Sequence, residues 1–332
     1  MTSATILAPA GTRLTPDEFS FFAVAQPWGF ILFARNLEEP DQIRRLTGDL
    51  REAVGRNAPI LIDQEGGRVE RLSAPTWRSW LPALDQVTKA GGGEGAARSM
   101  WLRARLIADE LLALGIDVNC APLADVARAE THPVLRNRLY GTSADTVAQI
   151  ARAFADGSRA GGVLPVLKHL PGYGLGQVDS HLDLPRVTAP LEELDAVDFA
   201  AFRPLVDLKM AMTAHIVLEA IEDGMPATMS RKMIRLIREE IGFQGLLMTD
   251  DISMDALPGE LATRCEGAIA AGCDLILHCN GRMTEMPAVV GAAGTLQPGA
   301  EARAEAALAE RRPPDPLDIE AAEAEFEALL AG

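Results

Sequence analysis

With 332 residues, 48% hydrophobic and 23% charged, the sequence can bury a large core and sits at the upper end of what one domain accommodates. Its 47 acidic against 31 basic residues give a formal net charge of −16, the wrong sign for a surface that gathers nucleic-acid phosphates, which excludes polynucleotides as expected partners. No run approaches the roughly 20 apolar residues of a membrane helix, and the opening MTSATILAPAGTRLTPDEF lacks a basic segment followed by an apolar one, so a soluble, unexported protein without a membrane partner is expected.

Short apolar or β-branched runs bounded by turn residues predict strands near residues 4–7, 29–33, 59–63, 117–120, 163–168, 210–214, 246–250 and 274–279. Helical periodicity fills most of the gaps. A capping box, Thr15-Pro16-Asp17-Glu18, starts the first helix. Later helices are predicted over 99–114 before Gly115, over 143–159 before Gly161-Gly162, and over 231–240 before Gly242.

Strands alternating with helices predict an α/β fold with a parallel sheet, either open and doubly wound or closed as a (β/α)8 barrel of the TIM type. Polar residues favour closure. Arg35-Asn36, Asp63, Asn119 with Asp125, Lys168-His169, His215, Asp250-Asp251 and Asn280 follow seven different strands, as side chains converging on a barrel mouth do. The whole chain, 1–332, is expected to form one catalytic domain, with residues 282–332, rich in Ala and Glu, as a mainly helical C-terminal extension. Cys120, Cys265, Cys273 and Cys279 include no CxxC pair and three of them lie in strand-like or apolar helix-like runs, so buried thiols are expected, with no metal site and no cofactor.

Three segments carry candidate chemistry. In Lys168-His169-Leu170-Pro171-Gly172-Tyr173-Gly174, followed by Gly176 and Asp179-Ser180-His181, a strand opens into a glycine-rich loop. There a carboxylate two residues from a His can hold its tautomer and stabilise its imidazolium form. In Leu246-Leu247-Met248-Thr249-Asp250-Asp251 a buried strand runs into two carboxylates. Alternation directs one of them into the mouth and leaves the other to cap the next helix, and spacing does not say which. Asp63-Gln64-Glu65-Gly66-Gly67-Arg68-Val69-Glu70-Arg71 offers carboxylate and guanidinium pairs of the kind that grip vicinal hydroxyls. Arg138 sits in a long loop above the same mouth, whereas His132, His278 and Arg136 are weaker signals.

Together, KHLPGYG with DSH, IDQEGGRVERL, NCAPLADV, MTAHIVL, MPATMS and GFQGLLMTDDISM resemble the bacterial β-N-acetylhexosaminidases of glycoside hydrolase family 3, in their short cytoplasmic form. The resemblance runs from about Gly29 to Asn280, with the motifs in the family's order. It implies a (β/α)8 barrel that removes terminal β-linked N-acetylglucosamine from muropeptides during cell-wall recycling. By the same resemblance Asp250 is the nucleophile, His181 the acid/base and Asp179 its partner. Asp63, Arg71, Arg138, Lys168 and His169 then bind sugar hydroxyls, and His215 lines the site. Tyr173 departs from the family's usual PGHG, so any ionic part played by that His is missing here.

The expected partner is a small carbohydrate and the expected state a monomer. Two other enzymes fit parts of the sequence. Phosphate could replace water, giving a phosphorylase on the same scaffold, and Lys168 at its strand end could serve a Schiff-base aldolase. The aglycone is not encoded in any motif.

Overall fold

The computed structural model describes residues 1–177 and 184–331, which form a closed barrel of parallel strands. The strands are β1 (Ser3–Leu7), β2 (Pro27–Leu32), β3 (Ile60–Ile62), β4 (Val118–Asn119), β5 (Leu164–Pro165 continuing as Leu167–Leu170), β6 (Met210–Thr213), β7 (Leu246–Asp251) and β8 (Leu275–His278). Each pairs with its sequence neighbours, and β8 returns to β1 through Thr5 opposite Ile276. The expected (β/α)8 architecture is therefore the one observed.

Closure runs through β5, where Pro165 brings no N–H to the ladder and the strand breaks at Val166. Its first segment pairs with β4 and its second with β6. Hydrogen bonds from Lys168 N to Pro122 O (3.0 Å) and from Ala124 N to Lys168 O (2.7 Å) bridge the break. A short parallel pair, Arg186–Val187 with Val217–Leu218, adds structure that periodicity did not signal because each strand has only two residues.

Strand residues are buried on both sides, which is why these runs read as continuous apolar stretches. Ile6, Ile31, Leu61, Val118, Met212 and Met248 fill the barrel, while Leu7, Phe30, Leu32, Ile60 and Ile62 meet the surrounding helices. All four cysteines are buried and free. The Thr15 capping box forms as predicted, with Glu18 N donating to Thr15 Oγ1 at 3.2 Å and Thr15 N to Glu18 Oε2 at 2.9 Å. The helix beginning at Arg231 widens into a π-turn at Ile237–Ile241 before Gly242 (φ 94°) ends it.

The helical stretch after residue 282 has three parts. Met286–Ala293 packs on β1 and β8 as the outer helix after β8. Pro298–Leu308 closes the N-terminal end of the barrel, placing Ala304 and Ala307 against its interior residues. Ile319–Ala331 lies on the helix Gly93–Ala113 and sets Phe326 edge-on to Trp80 at 5.4 Å. With one end plugged, a ligand's way to the barrel axis is from the C-terminal ends of the strands. Among the described residues no helix is long and apolar enough to cross a membrane.

The plug is held by Asp274, whose side chain is 3% exposed and accepts from Leu247 N (2.9 Å), Arg238 Nη2 (2.9 Å) and Arg303 Nη2 (2.5 Å). Removing one partner of a buried ion network leaves the others uncompensated. Asp274→Ala is expected to lower unfolding free energy by about 3 kcal/mol, read as a lower urea midpoint with an unchanged slope.

Candidate active site

A cavity of about 140 Å³ opens where β3, β5, β6 and β7 end. Asp63, Arg71, Arg138, Lys168, His169, His215 and Asp250 all border it. Asp179 and His181 lie outside the described residues.

One wall is a buried ion network. Lys168 Nζ lies 2.9 Å from Asp63 Oδ1 and 2.7 Å from Glu65 Oε1. Arg71 reaches Asp63 Oδ2 at 3.2 Å, and Arg138 grips Glu65 through both its Nε (2.9 Å) and Nη2 (2.8 Å). Three cations thus face two carboxylates, and Asp250 across the cavity supplies the third negative charge. Burial alone would favour the neutral form of each group, but the partners overcome it. Asp63 is held well below the usual carboxylate range by Lys168 and Arg71, and Glu65 is brought to about 2 by Arg138 and Lys168. Lys168 is correspondingly raised by Asp63 and Glu65 against its own burial. An ammonium so stabilised is a poor Schiff-base nucleophile, which needs the free amine.

The opposite wall carries the two aspartates. Asp251 is fully engaged: its carboxylate accepts from Ser253 N (3.1 Å), Ser253 Oγ (2.8 Å) and Cys279 N (3.1 Å). The next helix starts only at Leu261, so Asp251 caps a turn and not a helix. Both aspartates border the cavity, contrary to simple alternation, because the register shifts between Met248 and Asp251. Asp250 Oδ1 accepts from Asp251 N at 2.8 Å, and its second oxygen has no hydrogen-bond partner among the described residues.

Burial would raise the Asp250 carboxyl, but His215, His169, the Asp251 N–H and Lys168 hold it below its ordinary value. Burial also depresses His215, so its positive charge contributes only in acid. Asp250 is therefore an ionised carboxylate with one open oxygen facing the cavity. His215 itself is 1% exposed. Its Nε2 donates to Asp251 O at 2.9 Å and its Nδ1 lies 2.8 Å from Thr228 Oγ1, so no ring nitrogen remains to bind a hydroxyl directly. The expected site-lining position is occupied, with the imidazole holding the backbone beside Asp250.

His169 differs. Asp125 (1% exposed) accepts from its Nδ1 at 2.8 Å, and Nε2 has no partner among the described residues. The other oxygen of Asp125 accepts from Tyr173 N at 2.7 Å. This contact uses the backbone, so the tyrosine that departs from the family pattern leaves it intact. The first half of the glycine-rich loop is pinned: Gly174 lies so close to Val126 that a Cβ would fall 1.9 Å from the Val126 carbonyl, and His132 N donates to Gly176 O at 3.1 Å. Glycine serves close approach at 174.

The remaining polar residues at strand ends are structural. Arg35 and Asn36 bond to the Pro9 carbonyl, His132 accepts from Val134 N, Asn119 pairs with Gln64, and His278 meets Glu285. Glu65 lacked a separate signal in the sequence, since it sat within a charge run that reads equally as a solvated turn, and Asp125 was read only as one of the polar residues near the mouth, with no partner for it nearby in the chain.

Residues 22–311 match the model of the glycosyl hydrolase family 3 N terminal domain. The chain is 37% identical over 283 residues to a β-hexosaminidase of Alkalilimnicola ehrlichii, covering 81% of this chain and 78% of that one. In structure it is similar to a family 3 β-N-acetylglucosaminidase from Paenibacillus, with a TM-score of 0.85, 30% identity and coverage of 98% of this chain and 66% of that one. NagZ from Neisseria gonorrhoeae in complex with N-trifluoroacetyl-D-glucosamine gives a TM-score of 0.82 at 29% identity, over 99% and 96% of the two chains.

The ion network sets a pH dependence of stability. Glu65 titrates at about 2 when folded against an ordinary 4.5, so its contribution is complete above 4.5 and disappears as pH falls through 2. Glu65→Gln is expected to be less stable than the wild type at pH 7, with the difference shrinking through that window. Urea unfolding of both proteins across the range checks it; a difference that stays constant would remove Glu65 from the network's energetics.

Proposed function

We propose, from the premise that the chain belongs to glycoside hydrolase family 3, that this glycoside hydrolase is a retaining β-N-acetylglucosaminidase. It releases terminal non-reducing N-acetylglucosamine from muropeptides in the cytoplasm, as part of peptidoglycan recycling. The observation that carries the reading is the division of labour at the end of β7, where Asp251 is bound up in its turn while Asp250, ionised, keeps one oxygen open to the cavity.

Retention requires a nucleophile on one face of the anomeric carbon and a proton donor on the other. Asp250 attacks to give the glycosyl-enzyme, and the Lys168 network opposite supplies donors and acceptors to the sugar hydroxyls. Phe33, Val69, Met212, Met254 and Leu277 add apolar surface for the pyranose and the acetamide methyl. By the family resemblance His181, with Asp179 as its partner, protonates the leaving oxygen and then deprotonates water. A His in this role leaves the acceptor side less negative than a second carboxylate would.

Purified protein with an aryl β-N-acetylglucosaminide tests the reading, with proton NMR of the first-formed sugar. The β-anomer is expected first, and an initial α-anomer would sink the covalent mechanism. Sugar 1-phosphate formed in phosphate buffer would replace hydrolysis by phosphorolysis. Asp250→Ala is expected to lower kcat by at least about 1000-fold with binding of N-acetylglucosamine retained. His181→Ala is expected to harm substrates with poor leaving groups far more than activated aryl ones, and equal losses on both would take the proton-donor role from His181.

A further inference from the structure

The buried carboxylate of Asp125 belongs to none of the roles above, and yet it touches two elements of the site at once. Asp125 lies on the loop after β4 with its side chain 1% exposed. Oδ2 accepts from His169 Nδ1 at 2.8 Å, and Oδ1 accepts from Tyr173 N at 2.7 Å, with His169 N a longer 3.4 Å away. An ionised carboxylate only accepts, so His169 carries its proton on Nδ1. In the neutral ring this leaves Nε2 as a lone pair, and His169 borders the cavity with Nε2 unpartnered among the described residues.

We propose that Asp125 is a positioning residue acting through His169: it fixes the imidazole tautomer so that Nε2 meets the bound sugar as a hydrogen-bond acceptor, taking a hydroxyl proton. The inference rests on the glycosidase reading for the identity of the ligand. Specificity follows from the direction of the bond, because a ring nitrogen that accepts demands a hydroxyl and gains nothing from an ether or a carbonyl at that place. The same carboxylate ties this tautomer to the root of the glycine-rich loop, since both of its oxygens are engaged and the imidazole cannot rotate without breaking the Asp125 contact.

The isosteric Asp125→Asn variant separates the two contacts. Tyr173 N can be satisfied only by the amide oxygen, which turns the amide NH2 toward His169 Nδ1. The ring must then accept at Nδ1, and its proton moves to Nε2. This inverts what the cavity meets without emptying any volume.

The experiment is a double-mutant cycle of Asp125→Asn and His169→Ala on an aryl β-N-acetylglucosaminide, with 15N NMR of histidine-labelled protein assigned by His169→Ala. In the wild-type background Asp125→Asn is expected to lower kcat/KM by about 10- to 100-fold, the range of a charge-assisted hydrogen bond. In the His169→Ala background its effect is expected to fall below about threefold, because the interaction it disturbs is already gone. The wild-type spectrum is expected to show the His169 proton on Nδ1, moving to Nε2 in Asp125→Asn. Equal losses in both backgrounds, or a wild-type His169 carrying a proton on Nε2 whether or not Nδ1 is also protonated, overturns the proposal, and the wild-type spectrum decides even if the variant does not fold. Wild-type protein that cleaves no aryl glycoside would instead defeat the glycosidase reading and leave the tautomer measurement standing.

Discussion

The site depends on one buried ammonium. Lys168 lies in the second segment of the broken strand β5, and its charge lies between Asp63 at the end of β3 and Glu65 two residues further on. Desolvating three charges is expensive, and only their mutual attraction, with Arg71 and Arg138 outside them, makes the arrangement tolerable. The network therefore does two things. It locks the strand ends around the mouth, and it lines one wall of the cavity with donors and acceptors already desolvated and fixed in place.

Across the cavity the same economy of contacts separates two chemically identical side chains. Asp251 is held by Ser253 and by the Cys279 N–H, and its carbonyl takes the His215 imidazole. Everything that fixes Asp251 also fixes the N–H it offers to Asp250. His215, backed by Thr228 from the region after β6, also holds the backbone of this neighbour in place. The two adjacent carboxylates both reach the mouth, where the strand register shifts, and differ in that Asp250 keeps one oxygen open.

The glycine-rich loop shows a comparable division. Up to Gly176 it rests on the loop after β4 through Asp125, Val126 and His132, close enough that a side chain at 174 would not fit. The geometry of His169 is fixed by the same Asp125 carboxylate.

Much of this was legible in the sequence for physical reasons. Parallel strands buried on both faces leave continuous apolar runs, so the strands, their order and the mouth at their C-terminal ends followed from periodicity and from the polar residues that end them. The capping box at Thr15 was equally visible, because a cap is a local interaction between residues three apart. What sequence could not decide were contacts made across the barrel, where chain separation carries no information. Asp125 meets His169 over 44 positions and Glu65 meets Arg138 over 73. Alternation assigned one aspartate of the pair to the mouth, yet a register shift fixed by the neighbouring strand brought both there. Only the tertiary structure shows that Asp251 is bound up while Asp250 keeps an open oxygen, because that depends on which carboxylate oxygen finds a donor, and the donors are Ser253 and the Cys279 N–H that follows another strand.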